Sequence, residues 1–483
     1  MKKNSILAAW LLLLAISSMS GCSSRHLEPW HSADLSSEFD ARMVDQVRSF
    51  EDYVALEARL FDELVEEVYD EVGTGPEFDL VRYSAGSAAD PNTRQPDYNR
   101  TFVLHTDAPR GGILLLHGMS DSPYSLREIG EKLHEQGYCV IGLRLPGHGT
   151  APSGIKSVRW QDMAAATRLA MEHLGDSVSG KPLHIFGYSN GAALALNYTL
   201  DAMDNAGQAM PASLVLISPA IGVTRFAALA GTQAGLSRVP GFGGSAWLQV
   251  TPEFDPYKYN SFPANAGAQV HSLTRRVGSR ITTMARTDNA KRFPPILVFK
   301  STVDATVAIG AVVDRLLGRL PDNGNEFVLF DINRSARVSP LLVSDPGPFT
   351  KRLMSDSTLP FTLTLITNEN AETRDVVAIT KPPFSAQALE PEKLGLAWPQ
   401  GVISLSHVAL PFSPEDPLYG RTPPEDPDQL FLGQAEIRGE RGMLKISTDW
   451  LLRLRYNPFY DVFETRVLEW ISDLAPDDGT KTR

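Results

Sequence analysis

Short apolar runs recur along the middle of the chain and are separated by polar stretches that contain Gly and Pro. Runs of this length predict buried strands of a parallel sheet. They lie at 113–116, 139–145, 183–186, 214–218 and 296–300. Helical periodicity lies between the first three runs, at 125–136 and 161–174, and a further helix is predicted directly after Gly191. This alternation predicts an α/β fold with a doubly wound, mostly parallel sheet.

Two stretches interrupt the alternation. Residues 222–290 lie between two predicted core strands and contain several aromatic side chains, which indicates a cap inserted over the sheet. Residues 334–400 are predicted to form a second insertion, with strand-like runs and a Pro-rich end. The remaining parts of this region, 101–221, 291–333 and 401–475, are predicted to build the core.

The N-terminus has the features of a targeting sequence. Lys2 and Lys3 precede a short apolar run, and the segment Met19-Ser20-Gly21-Cys22 resembles the lipobox of bacterial lipoproteins. This resemblance implies a signal peptide at 1–21, a lipidated Cys22 and a membrane-anchored protein of the cell envelope, at the outer membrane and facing the periplasm. The alternative is an ordinary cleaved signal or an uncleaved anchor.

Residues 22–100 are predicted to form a tether and an accessory helix. Apolar residues recur at helical intervals between 36 and 72, and Glu57 interrupts them. We interpret this segment as a solvated helix with no role beyond packing.

Composition limits the partners and cofactors. The 483-residue chain has a formal net charge of −12 and no Lys/Arg stripe, which disfavours a nucleic-acid partner. Its two cysteines, Cys22 and Cys139, permit at most one disulfide and match no metal-ligand spacing. We find no dinucleotide, P-loop or zinc-protease motif, so no cofactor and no metal are predicted.

The segment Gly187-Tyr188-Ser189-Asn190-Gly191 matches the pattern G-x-S-x-G. It lies between a predicted strand and a predicted helix, which is the setting of the nucleophile elbow in α/β hydrolases. Glycine is needed on both sides because larger side chains would collide with the neighbouring strand and helix. The sequence therefore predicts Ser189 as a nucleophile.

The acid and the base are inferred from their order along the chain. In this fold an Asp or Glu follows the nucleophile, and a His follows the acid. Only His271 and His407 come after Ser189, and His271 lies in the predicted cap. His407, after an apolar run predicted to be a strand at 402–406, is the predicted base. Asp304, after the strand at 296–300, is the predicted acid, and Asp331 is its competitor.

The oxyanion hole requires backbone N–H groups directed at the substrate carbonyl oxygen. One is predicted from Asn190, the residue after the nucleophile. The other is predicted from Met119, in the loop after the first core strand, with Gly118 allowing close approach. His117 precedes the nucleophile and is interpreted as a loop-shaping residue.

Four motifs point to one superfamily. They are His117-Gly118-Met119-Ser120-Asp121-Ser122-Pro123, Leu145-Pro146-Gly147-His148-Gly149, the elbow at 187–191 and Val303-Asp304. In them the sequence resembles the monoacylglycerol lipase and lysophospholipase-like carboxylesterases of the α/β-hydrolase superfamily, over about 101–310 and 400–470. The resemblance implies the α/β-hydrolase fold. His407 follows Asp304 by 103 residues, a longer interval than such relatives have.

The function expected from these residues is acyl transfer from a small-molecule or lipid ester to water. Acylglycerols, lysophospholipids and short-chain esters are the expected substrates, hydrolysed through an acyl-enzyme on Ser189. A peptide or amide hydrolase and an acyltransferase are alternatives on the same fold. A scaffold or binding lipoprotein with an inactive triad is the alternative that is not an enzyme.

Overall fold

The computed structural model describes residues 27–222, 246–304, 309–433, 439, 443–445 and 453–474. The predicted signal peptide, Cys22 and residues 223–245 of the predicted cap lie outside the described residues.

One ten-stranded sheet forms the centre of the molecule. The strands are β1 (Phe102–Leu104), β2 (Gly112–Leu116), β3 (Cys139–Leu143), β4 (Leu183–Tyr188), β5 (Ser213–Ile217), β6 (Trp247–Gln249), β7 (Phe262–Pro263), β8 (Ile296–Ser301), β9 (Glu326–Phe330), β10 (Thr362–Asn368), β11 (Asp375–Lys381) and β12 (Glu392–Ala397). The order in the sheet is β1-β3-β2-β4-β5-β8-β9-β10-β11-β12, and β6 and β7 form a separate pair. Neighbours from β3 to β10 are parallel, whereas β1, β11 and β12 pair antiparallel at the two ends.

Helices cover both faces of the sheet. They are α1 (Pro29–Ser32), α2 (Phe50–Glu67), α3 (Arg127–Glu135), α4 (Trp160–Ser177), α5 (Asn190–Asp204), α6 (Ala264–Met284), α7 (Ile309–Arg315), α8 (Gly347–Ser355) and α9 (Tyr460–Asp473). Side chains alternate between the faces along each strand. Leu114 and Leu116 of β2 pack with α4, α5 and α6, while Ile113 and Leu115 pack with α3 and α9. The sheet is therefore doubly wound, as the sequence predicts.

The predicted second insertion extends this sheet. β10 pairs parallel with β9, and β11 and β12 continue from β10 in antiparallel order. The apolar side chains of β10 are buried, with Leu363 in one core and Ile366 in the other. We expected residues 334–400 to leave the core, and instead they enlarge it.

The described part of the predicted cap belongs to the helical layer. Leu273, Val277 and Ile281 of α6 are buried in the same core as α4 and α5. Thr274 of this helix donates from Oγ1 to the backbone oxygen of Ala220, at 2.9 Å. Helix α6 is therefore a structural helix beside the sheet, in a range where we predicted a cap.

The N-terminal segment is joined to the core through buried charges. Glu57 of α2 is 4% exposed and accepts hydrogen bonds from Arg144 Nε at 3.0 Å and from the Thr101 backbone N–H at 2.7 Å. Glu38 pairs with the same guanidinium at 3.1 Å. The residue that interrupts the apolar pattern is thus an internal ion-pair partner. Helix α2 is an integral part of the fold, and interpreting it as a solvated helix was wrong.

Candidate active site

Ser189 lies at the turn between β4 and α5. Its backbone has φ 53° and ψ −108°, outside the regions that non-glycine residues ordinarily occupy. The Ser189 N–H donates to the backbone oxygen of Ile217 on the neighbouring strand, at 2.9 Å. The side chain is partly exposed although its neighbours are buried. A strained backbone in such a turn is typical of a nucleophile elbow.

The two glycines of the motif permit this turn. A Cβ on Gly187 would lie 2.4 Å from the Cα of Ala192, in the first turn of α5. A Cβ on Gly191 would lie 1.9 Å from the backbone oxygen of Leu116, at the end of β2. Both distances are far below van der Waals contact, so the helix can approach the strands only if these positions have no side chain.

His407 and Asp304 lie together although they are distant in sequence. His407 Nδ1 is 3.7 Å from Asp304 Oδ1, and the two side chains are 13% and 0% exposed. The Tyr188 hydroxyl donates to the His407 backbone oxygen at 3.4 Å, which places this segment beside the residue that precedes Ser189. The structure thus brings a histidine and a buried carboxylate to the elbow.

The segment before His407 differs from its prediction. Residues 402–406 are buried, but they form no strand of the sheet. Asn333, in the loop after β9, donates from its backbone to the Ile403 oxygen and from Nδ2 to the Val402 oxygen, both at 2.8 Å. Asn368 at the end of β10 donates to Asn333 Oδ1 at 3.2 Å. The extended sheet therefore positions the segment that supplies His407.

The competing candidates lie elsewhere. Asp331 accepts from Nε and Nη2 of Arg334, both at 2.9 Å, so both of its oxygens are engaged by one guanidinium. Bidentate Arg–carboxylate pairs are strong and geometrically fixed, so Asp331 has no free oxygen to orient a histidine. His271 lies on α6 and lines a groove of about 400 Å³ with residues such as Thr274 and Arg275. None of Ser189, Asp304 and His407 lines that groove.

The loop after β2, which contains Met119, is held by contacts with Lys258 and Tyr259. Ser120 has φ 69°, and its backbone oxygen accepts from the Tyr259 N–H at 2.8 Å. Asp121 forms an ion pair with Lys258. Asn190 is the first residue of α5, so its N–H has no acceptor within the helix. For Met119 N–H, the described part of the chain shows no hydrogen-bond acceptor.

His117 shapes this loop as a neutral ring. The Leu145 N–H donates to His117 Nε2 at 3.0 Å, so the ring proton lies on Nδ1, which is 2.9 Å from the Gly118 oxygen. Burial lowers the pKa of His117 well below its usual value. Burial also lowers the pKa of the adjacent His148 to about 4. Neither ring is protonated near neutral pH.

Known proteins are similar to part of this chain. The family model described as serine aminopeptidase, S33, matches residues 107–331. A thermostable monoacylglycerol lipase of Bacillus sp. (strain H-257) is 24% identical over 200 residues, which cover 41% of this chain and 72% of the relative.

Solved structures of lipases show the same likeness at lower identity. A monoacylglycerol lipase from Paleococcus ferrophilus is 19% identical, with a TM-score of 0.36 over 48% of this chain and 88% of that one. A soluble variant of monoglyceride lipase from Saccharomyces cerevisiae is 16% identical, with a TM-score of 0.37 over 48% of this chain and 81% of that one.

The family match contains both the strained serine and the sheet that presents it. The chain is a lipase- or esterase-like serine hydrolase with the α/β-hydrolase fold. The match ends at residue 331, so it contains Ser189 and Asp304 but not His407. His407 follows the strands β10 to β12 that extend the sheet.

Two residues of the site were missed by sequence reasoning. Lys300, at the end of β8, contacts Asp304 Oδ2 with Nζ at 2.5 Å, and both side chains are fully buried. Its signal in the sequence was a lysine at the end of an apolar strand, four residues before the predicted acid. Asn333 had no such signal, because its contacts with 402–403 arise only in the folded chain. In the described residues no group of His, Cys, Asp and Glu side chains has the arrangement of a metal site.

Proposed function

We propose that this hydrolase cleaves carboxylic esters through an acyl-enzyme, with Ser189 as nucleophile, His407 as general base and Asp304 as the orienting acid. The observation that supports this most strongly is the placement of His407 Nδ1 3.7 Å from the buried Asp304 carboxylate, beside the elbow. That distance exceeds a hydrogen bond. Catalytic hydrogen bonds in unliganded sites are often long and shorten in the substrate complex.

In the proposed reaction Ser189 Oγ attacks the ester carbonyl while His407 Nε2 accepts its proton. The backbone N–H groups of Met119 and Asn190 stabilise the oxyanion. The C–O bond to the leaving alcohol breaks, and the alcohol takes the proton from His407. Water then attacks the acyl-enzyme with His407 as base, and the carboxylic acid leaves. Asp304 fixes the ring tautomer and stabilises the imidazolium.

The proposed substrates are acylglycerols, lysophospholipids or short-chain esters. Support comes from the Bacillus relative, which is a monoacylglycerol lipase, together with the motifs at 117–123 and 145–149. Turnover of 1-monoacylglycerols and p-nitrophenyl esters of increasing chain length by the purified full-length chain would define the acyl preference.

The experiment that tests the proposal is Ser189→Ala. We expect kcat for p-nitrophenyl butyrate to fall by about 10⁴-fold or more with unchanged thermal unfolding. Ser153→Ala is a control for the loss of a serine hydroxyl elsewhere in the fold, because Ser153 is buried and its hydroxyl has no hydrogen-bond partner in the described part of the chain. A fluorophosphonate probe should label the wild type and spare Ser189→Ala. Full activity in Ser189→Ala would refute the proposal.

A second reaction class is favoured by the description of the matching family as a serine aminopeptidase. Peptide and ester hydrolysis share the acyl-enzyme, so Ser189→Ala does not distinguish them. Comparing kcat/KM for aminoacyl p-nitroanilides and for p-nitrophenyl esters does. We expect the esters to be preferred by at least about 100-fold, and the reverse order would identify a peptidase.

We also propose that the chain is anchored in the bacterial cell envelope through Cys22, on the lipobox-like sequence Met19–Cys22. No helix within the described residues is long and apolar enough to cross a membrane. Replacing Cys22→Ala should abolish incorporation of a palmitate analogue and release the protein from the membrane fraction. Unchanged incorporation and fractionation would overturn this proposal.

A further inference from the structure

We propose that Lys300 is a positioning residue of the triad, which holds one oxygen of Asp304 so that the other faces His407, and whose charge limits how strongly Asp304 stabilises the imidazolium. This inference rests on the proposed function. It concerns a residue that neither touches the substrate nor exchanges a proton with it.

The geometry divides the Asp304 carboxylate between the Lys300 ammonium and the His407 imidazole. Lys300 Nζ lies 2.5 Å from Oδ2, while His407 Nδ1 lies 3.7 Å from Oδ1. Lys300 precedes Asp304 by four residues, and the turn after β8 folds the carboxylate back over the lysine side chain. Contact with Lys300 therefore selects the orientation in which Oδ1 points toward the imidazole.

The burial of Lys300 argues for a role beyond packing. The side chains of Lys300 and Asp304 are both 0% exposed, and lysine is almost never fully buried unless it is paired. Removing two charges from water is costly, and apolar residues of similar volume often replace such a pair without loss of stability. Ile296 to Phe299 of the same strand are apolar and buried. A lysine at position 300 is therefore not needed for the strand to pack.

The charge of Lys300 changes the electrostatic potential at His407. In the described residues Lys300 from β8 and His407 from the C-terminal segment both face Asp304, while Asp331 after β9 is engaged by Arg334. A carboxylate beside an ammonium attracts an imidazolium less than a carboxylate alone. Lys300 should therefore weaken the attraction of Asp304 for the imidazolium that forms during the reaction.

The test is Lys300→Met, which removes the charge and keeps most of the volume. With Lys300 absent, Asp304 either stabilises the protonated His407 more strongly or becomes protonated itself. Both effects move the acidic limb of the kcat/KM profile to higher pH, by about one unit. We expect kcat to fall by about 10- to 100-fold and KM to change by less than about threefold, because the substrate does not contact Lys300.

Lys381→Met is the matched control. Lys381 of β11 is also 0% exposed, and its Nζ donates to the backbone oxygens of Asp356 at 3.0 Å and Ser385 at 3.2 Å. Removing it deletes a buried ammonium outside the triad, so the thermal unfolding temperature should fall without movement of the acidic limb.

Lys300→Gln distinguishes the effect of the lysine charge from its effect on the orientation of Asp304. It replaces Lys300→Met in the test if that variant does not fold. It retains a hydrogen-bond donor, so it should shift the acidic limb like Lys300→Met while losing less kcat. A loss of rate that is the same at every pH, with the acidic limb unmoved as in Lys381→Met, would overturn the inference and leave the proposed function intact. Full activity in Ser189→Ala would instead refute the proposed function.

Discussion

Ser189 and His407 are placed by two regions of this molecule that are built in opposite ways. Ser189 is positioned by a continuous stretch, from β4 through the turn into α5. His407 follows a buried segment outside the sheet, whose backbone is held by Asn333 and which packs through Val402 and Leu405 into the core beneath α9. The first region depends on local sterics, and the second depends on contacts between distant parts of the chain. A short motif can therefore reveal the first, whereas the second requires the fold.

The largest effect is expected at Gly191, where local sterics determine the turn that positions Ser189. Gly191→Ala places a Cβ 1.9 Å from the Leu116 oxygen, so α5 and β2 must separate. We expect a loss of more than about 4 kcal/mol in unfolding free energy, or insoluble protein. Gly278→Ala is the control, because a Cβ there meets nothing within 4 Å on helix α6. It should leave stability unchanged or raise it by up to about 1 kcal/mol in urea unfolding. Equal stability of the two variants would show that the elbow is not sterically determined.

The next largest effect is expected where the N-terminal segment is joined to the core. Arg144→Met leaves the carboxylates of Glu38 and Glu57 without the guanidinium that contacts them at 3.1 and 3.0 Å. Breaking a buried pair in this way costs about 3–5 kcal/mol. Arg168→Met, which breaks an exposed pair with Glu172, should cost less than about 1 kcal/mol. If both variants lost the same small amount of unfolding free energy in urea, the N-terminal segment would not be an integral part of the fold.

Acid should lower the folding stability of the region that positions Ser189, because it protonates His184 of β4 on unfolding. Burial lowers the pKa of this histidine from its ordinary value of 6.5 to about 4. The unfolded chain therefore binds a proton before the folded protein does, so the stability from His184 is complete above pH 6.5 and is lost as the pH falls toward 4. His184→Gln should unfold at lower pH than wild type, with a benefit of up to about 3 kcal/mol near pH 4. An unchanged acid-unfolding midpoint by circular dichroism would contradict this.

The smallest effect is expected in the region that positions His407 through contacts between distant parts of the chain. Asn333→Ala removes the donor to the Val402 oxygen, and we expect about 1–3 kcal/mol of lost stability. Displacement of His407 should lower kcat by about tenfold while the Ser189 turn remains intact. Asn370→Ala, at an exposed turn between β10 and β11, should change neither quantity. A kcat equal to wild type for Asn333→Ala would mean that the sheet extension does not position His407.

These differences explain what the sequence predicted and what it did not. Apolar runs and the elbow motif predicted the parallel strands and Ser189, because periodicity and turn sterics act over a few residues. The extension of the sheet by β10 to β12 was predicted as a separate insertion, since its alternating pattern does not reveal which strand it will pair with. Glu57 was interpreted as an interruption because its partner, Arg144, is 87 residues away.

The account depends most on Ser189 and His407 acting as one catalytic unit, although different regions position them. The direct measurement is kcat for p-nitrophenyl butyrate in Ser189→Ala, His407→Ala and the double variant. Groups that act together give strongly non-additive losses. We predict that the double variant is no slower than the slower single variant. If the two losses multiplied instead, the serine and the histidine would act independently, and the account would be contradicted.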